Sequence, residues 1–388
     1  MTYPTSSASS SIARLAVVGA FSEHDFYQRN RVLVSLLSEM SSHTAYVGRR
    51  TNRVSHAFSS WDSRWTRLAN LFHDAVEVWR GRERIKSAVV VFVPYPSYLT
   101  LLWLHFFRQR RGRVVLADAF LELRSTVVED RRLLRPGSLA DGLLGFFQRY
   151  ALNRSSHILI DTDVQKARLE AELGPSHPPV TSIPVGIDET LWKEQPQPAP
   201  DAQVNVVFWG TLIPLHGVEF ILDAAELLEA EDVGGADRVA IQFRLIGDGQ
   251  GSPDLAARLK RRPVSSLSWH RALMQTEQLR AEVAKAHIVL GVFGESPKAG
   301  SVIPYKLTQA LASNRPVISR DSAAIDHLRD DERGLFTCAP ADGAALAQAI
   351  AALAARLRSG WMPKTRSIYD EHLSNARVKS RLAAALDL

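Results

Sequence analysis

A polar, glycine-containing stretch from Phe293 to Ala312 holds the residues best suited to binding phosphate. Lys298 lies in the loop, and Lys306 follows Pro304, a residue that favours the first turn of a helix. A lysine in a first turn opposes the helix dipole, so its position is unfavourable unless an anion lies beside it. A bound diphosphate would pair with the lysines and accept hydrogen bonds from the N–H groups of that turn. The alternative interpretation is two solvated lysines on a surface loop.

A second group of candidate phosphate ligands lies between residues 208 and 218. An apolar run ends at Gly210, and a helix is predicted to begin near Gly217. Thr211 can donate a hydrogen bond from its hydroxyl group, and His216 can donate one from its ring. Backbone N–H groups at such a helix start bind anions. Ordinary turn geometry is the alternative explanation for the glycine.

A third glycine-rich stretch, from Gly247 to Gly251, follows another apolar run. Its spacing is Gly-x-Gly-x-Gly, whereas the dinucleotide fingerprint is Gly-x-Gly-x-x-Gly. The spacing therefore argues against a hydride-transfer cofactor. A tight turn that contains Gly247 and Gly249 and lines a nucleotide pocket fits better.

In the first half of the chain, polar residues follow two apolar runs. Asp118 ends the run Val114–Ala117, and a dense cluster of charges comes after it. A polar and aromatic segment, residues 19–31, follows the first run. These charges form either an ion-pair network or an acceptor site. The candidate acceptor-side residues are Glu23, Arg29, Arg31, Asp130 and Arg131.

These candidates are placed by alternating strands and helices. Short apolar runs, typical of buried parallel strands, alternate with segments of helical periodicity. Repeated βαβ units predict an α/β fold with doubly wound sheets covered on both faces. The predicted strands include 15–19, 88–93, 114–117, 158–160, 180–184, 204–209, 240–246, 287–293 and 316–319. The predicted helices include 31–40, 99–107, 139–153, 164–173, 218–230, 304–312, 344–357 and 367–386.

The stretch 174–200 contains seven prolines, and its end, 194–200, is the best linker candidate. Two Rossmann-like domains are therefore predicted, over 12–193 and 194–366, after a disordered tail at 1–11. Residues 367–388 complete the chain as a helix. Because such sheets bind ligands at the carboxyl ends of their strands, the site is expected in a cleft between the two domains.

Composition excludes several classes of protein. The single cysteine, Cys338, excludes a disulfide framework and a cysteine-rich zinc site, and no metal is expected. Residues 1–190 hold 24 basic and 18 acidic side chains, which accounts for the whole net charge of +6. No nucleic-acid motif accompanies this basic half. The N-terminus lacks a signal peptide and no apolar run reaches membrane-spanning length, so a cytoplasmic protein is expected.

Residues 98–113 have two interpretations. The apolar run Tyr98–Phe107 is followed by Arg108, Arg110, Arg111 and Arg113. It is either a buried helix whose basic end complements its dipole, or a helix on an anionic membrane with Trp103, Phe106 and Phe107 among the headgroups. The second interpretation would make the protein peripheral on the inner face of the plasma membrane.

The second half resembles the group 1 glycosyltransferases, nucleotide-sugar enzymes of the GT-B fold. Four segments match in order over residues 204–355, and the ordered set is more specific than any one of them. They are Phe208–Gly217, Leu245–Gly249, Glu282–Val292, and Glu295–Ser319 followed by Arg333-Gly-Leu-Phe336. The resemblance implies that the C-terminal helix crosses back to pack on the first domain.

The motifs also depart from the family pattern. Typical members carry basic residues, in a Gly-Arg-Leu and a Lys-Gly, where this chain has Thr211 and His216. They also carry two glutamates, which correspond here to Ser301 and Gln309. The chain is similar to a subgroup with Pro-Leu-His-Gly and Ile-Pro-x-Lys motifs, in which Lys298 and Lys306 take over diphosphate binding. The resemblance places Gln309 near the ribose.

The resemblance implies transfer of a sugar from a nucleoside diphosphate donor to an acceptor hydroxyl, with retention of configuration. The donor is a substrate, and no cofactor is expected. The acceptor would be a glycan, lipid-linked or of the cell envelope. Lys298 and Lys306 would stabilise the leaving diphosphate, and Asp118 would assist at the acceptor. The donor-binding set is Gly210, Thr211, His216, Gly217, Gly247, Gly249, Ser301, Val302, Ile303 and Gln309.

Two alternatives stay open at this stage. One is a GT-B enzyme of another type, such as a sugar-nucleotide epimerase, which would need no separate acceptor. The other is a catalytically weak sugar-nucleotide-binding or scaffold protein, because both family glutamates are replaced.

Overall fold

The structure is a computed structural model of the 388-residue chain. It describes residues 12–22, 28–51, 73–120, 122–130, 133–199, 203–232 and 240–388. The chain divides into two compact units. The first comprises Met1–Thr126, Leu134–Gly186 and Val378–Leu388, and the second comprises Val127–Leu133 and Ile187–Arg377.

The first unit contains a six-stranded parallel sheet in the order β3-β1-β5-β6-β7-β8. Its strands are β1 (Leu15–Val18), β3 (Thr44–Val47), β5 (Val90–Val93), β6 (Val114–Asp118), β7 (His157–Ile160) and β8 (Val180–Ser182). Two short strands, β2 (Phe21–Ser22) and β4 (Arg50–Thr51), form a separate parallel pair. The helices of this unit are Gln28–Glu39, Arg82–Ser87, Tyr98–Phe106, Leu123–Ser125, Leu139–Leu152, Asp163–Leu173 and Asn375–Ala385, and residues 73–80 are also helical.

The second unit repeats this architecture in the order β11-β10-β9-β12-β13-β14. Its strands are β9 (Gln203–Trp209), β10 (Ala240–Ile246), β11 (Leu267–His270), β12 (Ile288–Leu290), β13 (Val317–Arg320) and β14 (Leu335–Cys338), all paired in parallel. Its α-helices are Val218–Asp232, Ser252–Arg261, Thr276–Ala284, Tyr305–Ala312, Gly343–Arg358 and Thr365–His372. Single turns of 3-10 helix lie at Pro214–His216 and Asp326–Leu328, and a π-helical turn lies at Thr126–Asp130.

Each sheet has an apolar core on both faces, because successive side chains of a strand point to opposite sides. In β9, Val206 and Phe208 belong to one core, whereas Val207 and Trp209 belong to the other. Strands that are apolar at every position therefore lie in the middle of each sheet. The pattern confirms the predicted doubly wound α/β architecture.

The C-terminal residues form two helices where the sequence predicts one. Ile368 and Tyr369, on Thr365–His372, lie in a core of the second unit. Val378 and Leu382, on Asn375–Ala385, are fully buried in a core of the first unit. Only the second of these helices therefore packs on the first unit's sheet.

The proline-rich stretch predicted as a linker is anchored on the second unit. The fully buried Arg315 donates hydrogen bonds to the carbonyl oxygens of Gln195, at 3.2 Å, and Pro196, at 2.8 Å. His287 bonds through Nε2 to the carbonyl oxygen of Ala199 at 3.0 Å. Within the described ranges, none of the helices has the length and apolar character needed to span a bilayer.

Candidate active site

The carboxyl ends of β9, β10 and β12 bring the glycine-rich turns of the second unit into mutual contact. Gly247 has a φ of +134°, and a Cβ there would overlap the carbonyl oxygen of Gly210. A Cβ on Gly249 would likewise overlap the carbonyl oxygen of Thr211. These two glycines are required because one backbone turn packs directly on another.

His216 lies beneath the first of these turns. It ends the 3-10 turn Pro214–His216, and Gly217 follows in the left-handed conformation with a φ of +61°. A Cβ on Gly210 would lie 2.5 Å from Cε1 of the imidazole ring, so only glycine allows the ring its position. The backbone of His216 is fixed as well, because Phe293 donates an N–H hydrogen bond to its carbonyl oxygen at 3.0 Å.

Lys306 lies in the first turn of helix Tyr305–Ala312, as the sequence predicts. Its side chain is only 5% exposed, and its Nζ has no hydrogen-bond partner among the described residues. The Nζ atom lies 3.7 Å from the centroid of the Phe208 ring, which also packs against the His216 ring at 5.5 Å. Lys306 and His216 therefore converge on Phe208 at the end of β9.

Burial governs the protonation of both groups. It lowers the pKa of Lys306 well below its ordinary range, because a charged ammonium without a counter-ion loses its hydration. Burial also lowers the pKa of His216 well below its ordinary range, and the nearby Lys306 adds to this effect. The Nδ1 atom of His216 has no partner in the described part of the chain. Two adjacent basic groups are thus buried without an anion.

The loop before this helix is compact. Ser301 donates hydrogen bonds from its backbone N and its Oγ to the carbonyl oxygen of Lys298, each at 3.0 Å. Lys298 and Ser301 are both buried, Ile303 is buried, and Val302 is half-buried. Pro304 offers no side-chain oxygen to cap the helix start. The first turn therefore lacks the acidic or hydroxyl cap that usually satisfies its N–H groups.

Gln309 is buried one turn further along the helix, where its Oε1 accepts a hydrogen bond from Nε1 of Trp209 at 3.2 Å. This bond ties the helix to the end of β9. The predicted role of Gln309 at a ribose stays a prediction, since its carbonyl oxygen already has a partner within the protein.

Two contributors to this region were not among the predicted residues. Phe208 supplies the ring beneath Lys306, and Arg320 donates a hydrogen bond to the carbonyl oxygen of Gly294 in the loop. Arg320 is the last residue of β13. In the sequence it directly follows the predicted strand 316–319, and a basic residue at that place was the signal that could have identified it. The position of Phe208 inside an apolar strand carried no such signal.

In the first unit, the structure brings Asp118 and Arg29 together. The Nε atom of Arg29 lies 3.0 Å from Oδ1 of Asp118, and both side chains are excluded from solvent. Arg29 also donates to the carbonyl oxygens of Ile183, at 2.6 Å, and Ile160, at 3.2 Å. This pair therefore joins the ends of three strands and the first helix.

Burial raises the pKa of Asp118, although Arg29 beside it acts in the opposite direction. Burial also raises the pKa of Asp161, directly after β7, to about 7. Asp118 thus forms the ion-pair network that the sequence left as one of two options. Its predicted role at the acceptor stays a prediction, and the structure gives its carboxylate no solvent-facing surface.

Of the remaining acceptor-side candidates, the structure describes the side chain of Arg31 alone. Arg31 is exposed on helix Gln28–Glu39. Asp130 ends the turn Thr126–Asp130, and its side chain lies outside the described residues. Glu23 and Arg131 also lie outside the described residues.

Comparisons with known proteins show which family model and which known structures the chain resembles. Residues 203–356 match the family model for Glycosyl transferases group 1. The structure is similar to sucrose-phosphate synthase from Thermosynechococcus elongatus, with a TM-score of 0.68 and 13% identity over 97% of this chain and 98% of that one. It is also similar to Anabaena HepE, with a TM-score of 0.64 and 12% identity over 97% of this chain and 99% of that one.

TarM of S. aureus is a further similar structure, with a TM-score of 0.58 and 13% identity over 82% of this chain and 59% of that one. Among curated protein sequences, none is significantly similar to this chain. At such low identity the structural likenesses define the fold alone. The fold is that of the GT-B glycosyltransferases, and residues 203–356 are a group 1 glycosyltransferase domain, as the sequence predicts.

Proposed function

We propose that this enzyme takes its sugar from a nucleoside diphosphate donor bound at the carboxyl edge of the second unit's sheet. The observation that carries the proposal is the buried Nζ of Lys306, which has no hydrogen-bond partner among the described residues and lies beside an uncapped helix start. A diphosphate at this place would supply the missing anion to Lys306 and accept hydrogen bonds from the helix N–H groups. His216 lies close enough to serve the same anion.

The chemistry of the transfer follows from this arrangement. Breaking the bond between the anomeric carbon and the phosphate leaves negative charge on the departing diphosphate. Lys306, Lys298 and His216 would stabilise that charge in a site from which water is largely excluded. These side chains would neutralise the charge of the diphosphate, and no cofactor is proposed.

The choice of donor and acceptor is guided by the similar structures. Anabaena HepE was crystallised with UDP-glucose and with UDP and glucose. TarM of S. aureus was crystallised with UDP and alpha-GlcNAc-glycerol. We therefore take UDP-glucose as the first donor to test, and glycans, lipid-linked or of the cell envelope, as the acceptor class. Retention of anomeric configuration is part of the proposal.

A binding experiment tests the donor site directly. Lys306→Met keeps the length and the apolar stem of the side chain while removing its charge. We expect the Kd for UDP, measured by titration calorimetry, to rise roughly 10- to 100-fold, the range for loss of one charged hydrogen bond. Lys298→Met should weaken binding in the same direction.

Lys260→Met is the matched control, since Lys260 is exposed near the end of helix Ser252–Arg261 and leads towards the opposite edge of the sheet. Its affinity for UDP should equal that of the wild type. Unchanged affinity in both Lys306→Met and Lys298→Met would contradict the proposed diphosphate site. Thermal melting of each variant separates lost binding from lost folding.

A donor-binding protein with weak catalysis is the second candidate. It is favoured by the residues at the two family glutamate positions, because Ser301 bonds to the Lys298 carbonyl and Gln309 bonds to Trp209. Release of UDP from UDP-glucose, with and without acceptors, distinguishes the candidates. Acceptor-dependent release with a glycosylated product supports the transferase. Acceptor-independent conversion of the sugar would indicate an epimerase.

A further inference from the structure

Helix Leu139–Leu152 of the first unit carries a stripe of apolar side chains on its solvent face. The exposed fractions are 90% for Leu139, 69% for Leu143, 58% for Phe146 and 39% for Tyr150. These positions follow the spacing i, i+4, i+7 and i+11, so they form one continuous stripe along the helix. A surface helix of a globular protein ordinarily shows the reverse pattern.

The opposite face of this helix is buried, and it carries polar residues as well as the core residues Ala151 and Leu152. Asp141 forms an ion pair with Arg124, with Oδ1 2.6 Å from Nε. The amide of Gln148 donates to Glu122 and Glu172, each at 3.1 Å, and its Oε1 accepts from the backbone N of Arg124. These specific partners fix the rotation of the helix about its axis. The apolar stripe is thus held outward by the fold.

The neighbouring helix Tyr98–Phe106 extends the exposed apolar surface. The ring of His105 packs edge-on against Tyr150, with centroids 6.5 Å apart. Phe106 is 72% exposed, whereas Trp103 and Phe107 pack against the core of the first unit. Of the three aromatic residues expected at a membrane, only Phe106 is therefore presented to solvent. The longer stripe lies on helix Leu139–Leu152.

The charges around this surface are of one sign. Residues 97–117 contain four arginines and no carboxylate, and residues 133–160 contain three arginines and only the buried, paired Asp141. Arg108, Arg111 and Arg149 are exposed, and none of them forms an ion pair with the described carboxylates. Arg154 stacks on the ring of Tyr150 at 4.0 Å.

Arg113 differs from the other arginines. Its guanidinium donates to the backbone carbonyl oxygens of Ile85 and Lys86, at 2.9 and 2.7 Å. It therefore holds the turn after helix Tyr98–Phe106 in place, and its charge reversal would perturb the fold. Tests of surface charge belong at Arg108, Arg111 and Arg149.

We propose that the outward faces of helices Leu139–Leu152 and Tyr98–Phe106 bind the surface of an anionic lipid bilayer. Leucine and aromatic side chains would enter the headgroup region while the surrounding arginines pair with lipid phosphates. A second copy of the chain fits less well, because a two-fold contact would place the arginines of both copies together. A nucleic acid would leave the leucines and Phe146 without an apolar environment.

Vesicle flotation tests the surface. The probes are phosphatidylcholine vesicles with and without about one third phosphatidylglycerol, near the anionic content that attracts basic proteins. The wild type should bind the anionic vesicles at least ten-fold more tightly than the neutral ones. Leu143→Glu with Phe146→Glu should reduce that binding at least ten-fold. Because both side chains are exposed, this double variant should melt at the wild-type temperature.

Leu273→Glu is the matched control, since Leu273 is an exposed leucine of the second unit, and it should bind vesicles like the wild type. Arg149→Gln and Arg111→Gln should each weaken binding about five-fold, and salt near 1 M, where the Debye length is about 3 Å, should weaken it further. Three outcomes would overturn the proposal: no wild-type binding to anionic vesicles, equal binding by the folded double variant, or a wild-type dimer that the double variant converts to monomer without any vesicle binding.

Discussion

At the scale of single residues, the structure places Lys306 in the first helical turn that the sequence predicts for it. A lysine in an uncapped first turn is electrostatically unfavourable, and the structure adds that its ammonium is buried against Phe208. Burying a charge without a partner destabilises the charged form. A ligand that favours the charged form of Lys306 must therefore change the protonation of this side chain when it binds.

We predict that binding of UDP takes up protons at pH 8, above the ~6 of a phosphate's second pKa. Burial lowers the pKa of Lys306 in the free protein, and a neighbouring diphosphate would raise it. The affinity should fall as the pH rises, because a growing fraction of Lys306 must take up a proton before it can pair with the diphosphate. Calorimetry in buffers of different ionisation enthalpy measures the protons bound. Lys306→Met should lower their number, and an unchanged number would contradict this assignment.

The contacts of Asp118 and Phe208 could not be predicted from the sequence. Arg29 and Asp118 are 89 residues apart, and their pairing depends on how the first helix crosses the end of β6. Phe208 and Lys306 meet only once β9 and helix Tyr305–Ala312 are packed together. Residue type and strand position placed each group at the correct sheet edge. The partner of each group is a property of the tertiary structure.

At the scale of elements, the strands that the sequence did not predict lie mainly at the edges of the two sheets. Strands β3, β11 and β14 lie at three of the four sheet edges, and most of their residues are half-buried or exposed. The fourth edge strand, β8, is mostly buried and was predicted. An edge strand faces solvent along one side and needs no continuous apolar run. The central strands are mostly apolar and were predicted to within a few residues. Periodicity thus locates the interior of a sheet better than its borders.

The polar face of helix Leu139–Leu152 shows an element held by buried titratable groups. Gln148 on this helix bonds to Glu122 and to Glu172, and Glu172 lies on helix Asp163–Leu173. Burial, together with the adjacent Glu172, raises the pKa of Glu122 from its ordinary value of 4.5 to about 8. The folded protein therefore retains a proton here that the unfolded chain releases near pH 4.5.

We predict that the free energy of unfolding falls as the pH rises from about 4.5 to about 8, since folding must then bind a proton at Glu122. Glu122→Gln keeps the size of the side chain and removes this titration. Its stability relative to the wild type should be greater at pH 8 than at pH 5, measured by urea unfolding. Glu39→Gln, at an exposed glutamate of the same unit, should leave the wild-type pH profile unchanged.

At the scale of the whole molecule, the two units are built on separate cores and carry different charges. The basic excess of the chain lies in residues 1–190, which include the arginine-rich helices of the first unit. The family match and the converging Lys306 and His216 lie in the second unit. The sequence predicted this division of roles, because charge and motif content differ between the halves. It placed residues 187–193 in the first domain, whereas they belong to the second unit, where Ile187 and Trp192 are buried in a core.

The separate cores lead to a prediction for unfolding. Leu382 is fully buried with Leu33 and Leu37 in a core of the first unit. Leu382→Ala should lower the melting temperature of that unit by roughly 5–10 °C, since such truncations cost about 2–5 kcal/mol. UDP should raise the melting temperature of the second unit alone, because a ligand stabilises the folded unit that binds it.

Differential scanning calorimetry with and without UDP measures both effects in the full chain. Leu388→Ala is the control, because Leu388 is the partly exposed last residue of the same segment, and it should melt like the wild type. The affinity of Leu382→Ala for UDP should also equal that of the wild type. If Leu382→Ala instead lowers the UDP-stabilised transition by the same amount, the two units unfold as one, and the assignment of the C-terminal helix to the first unit alone is wrong.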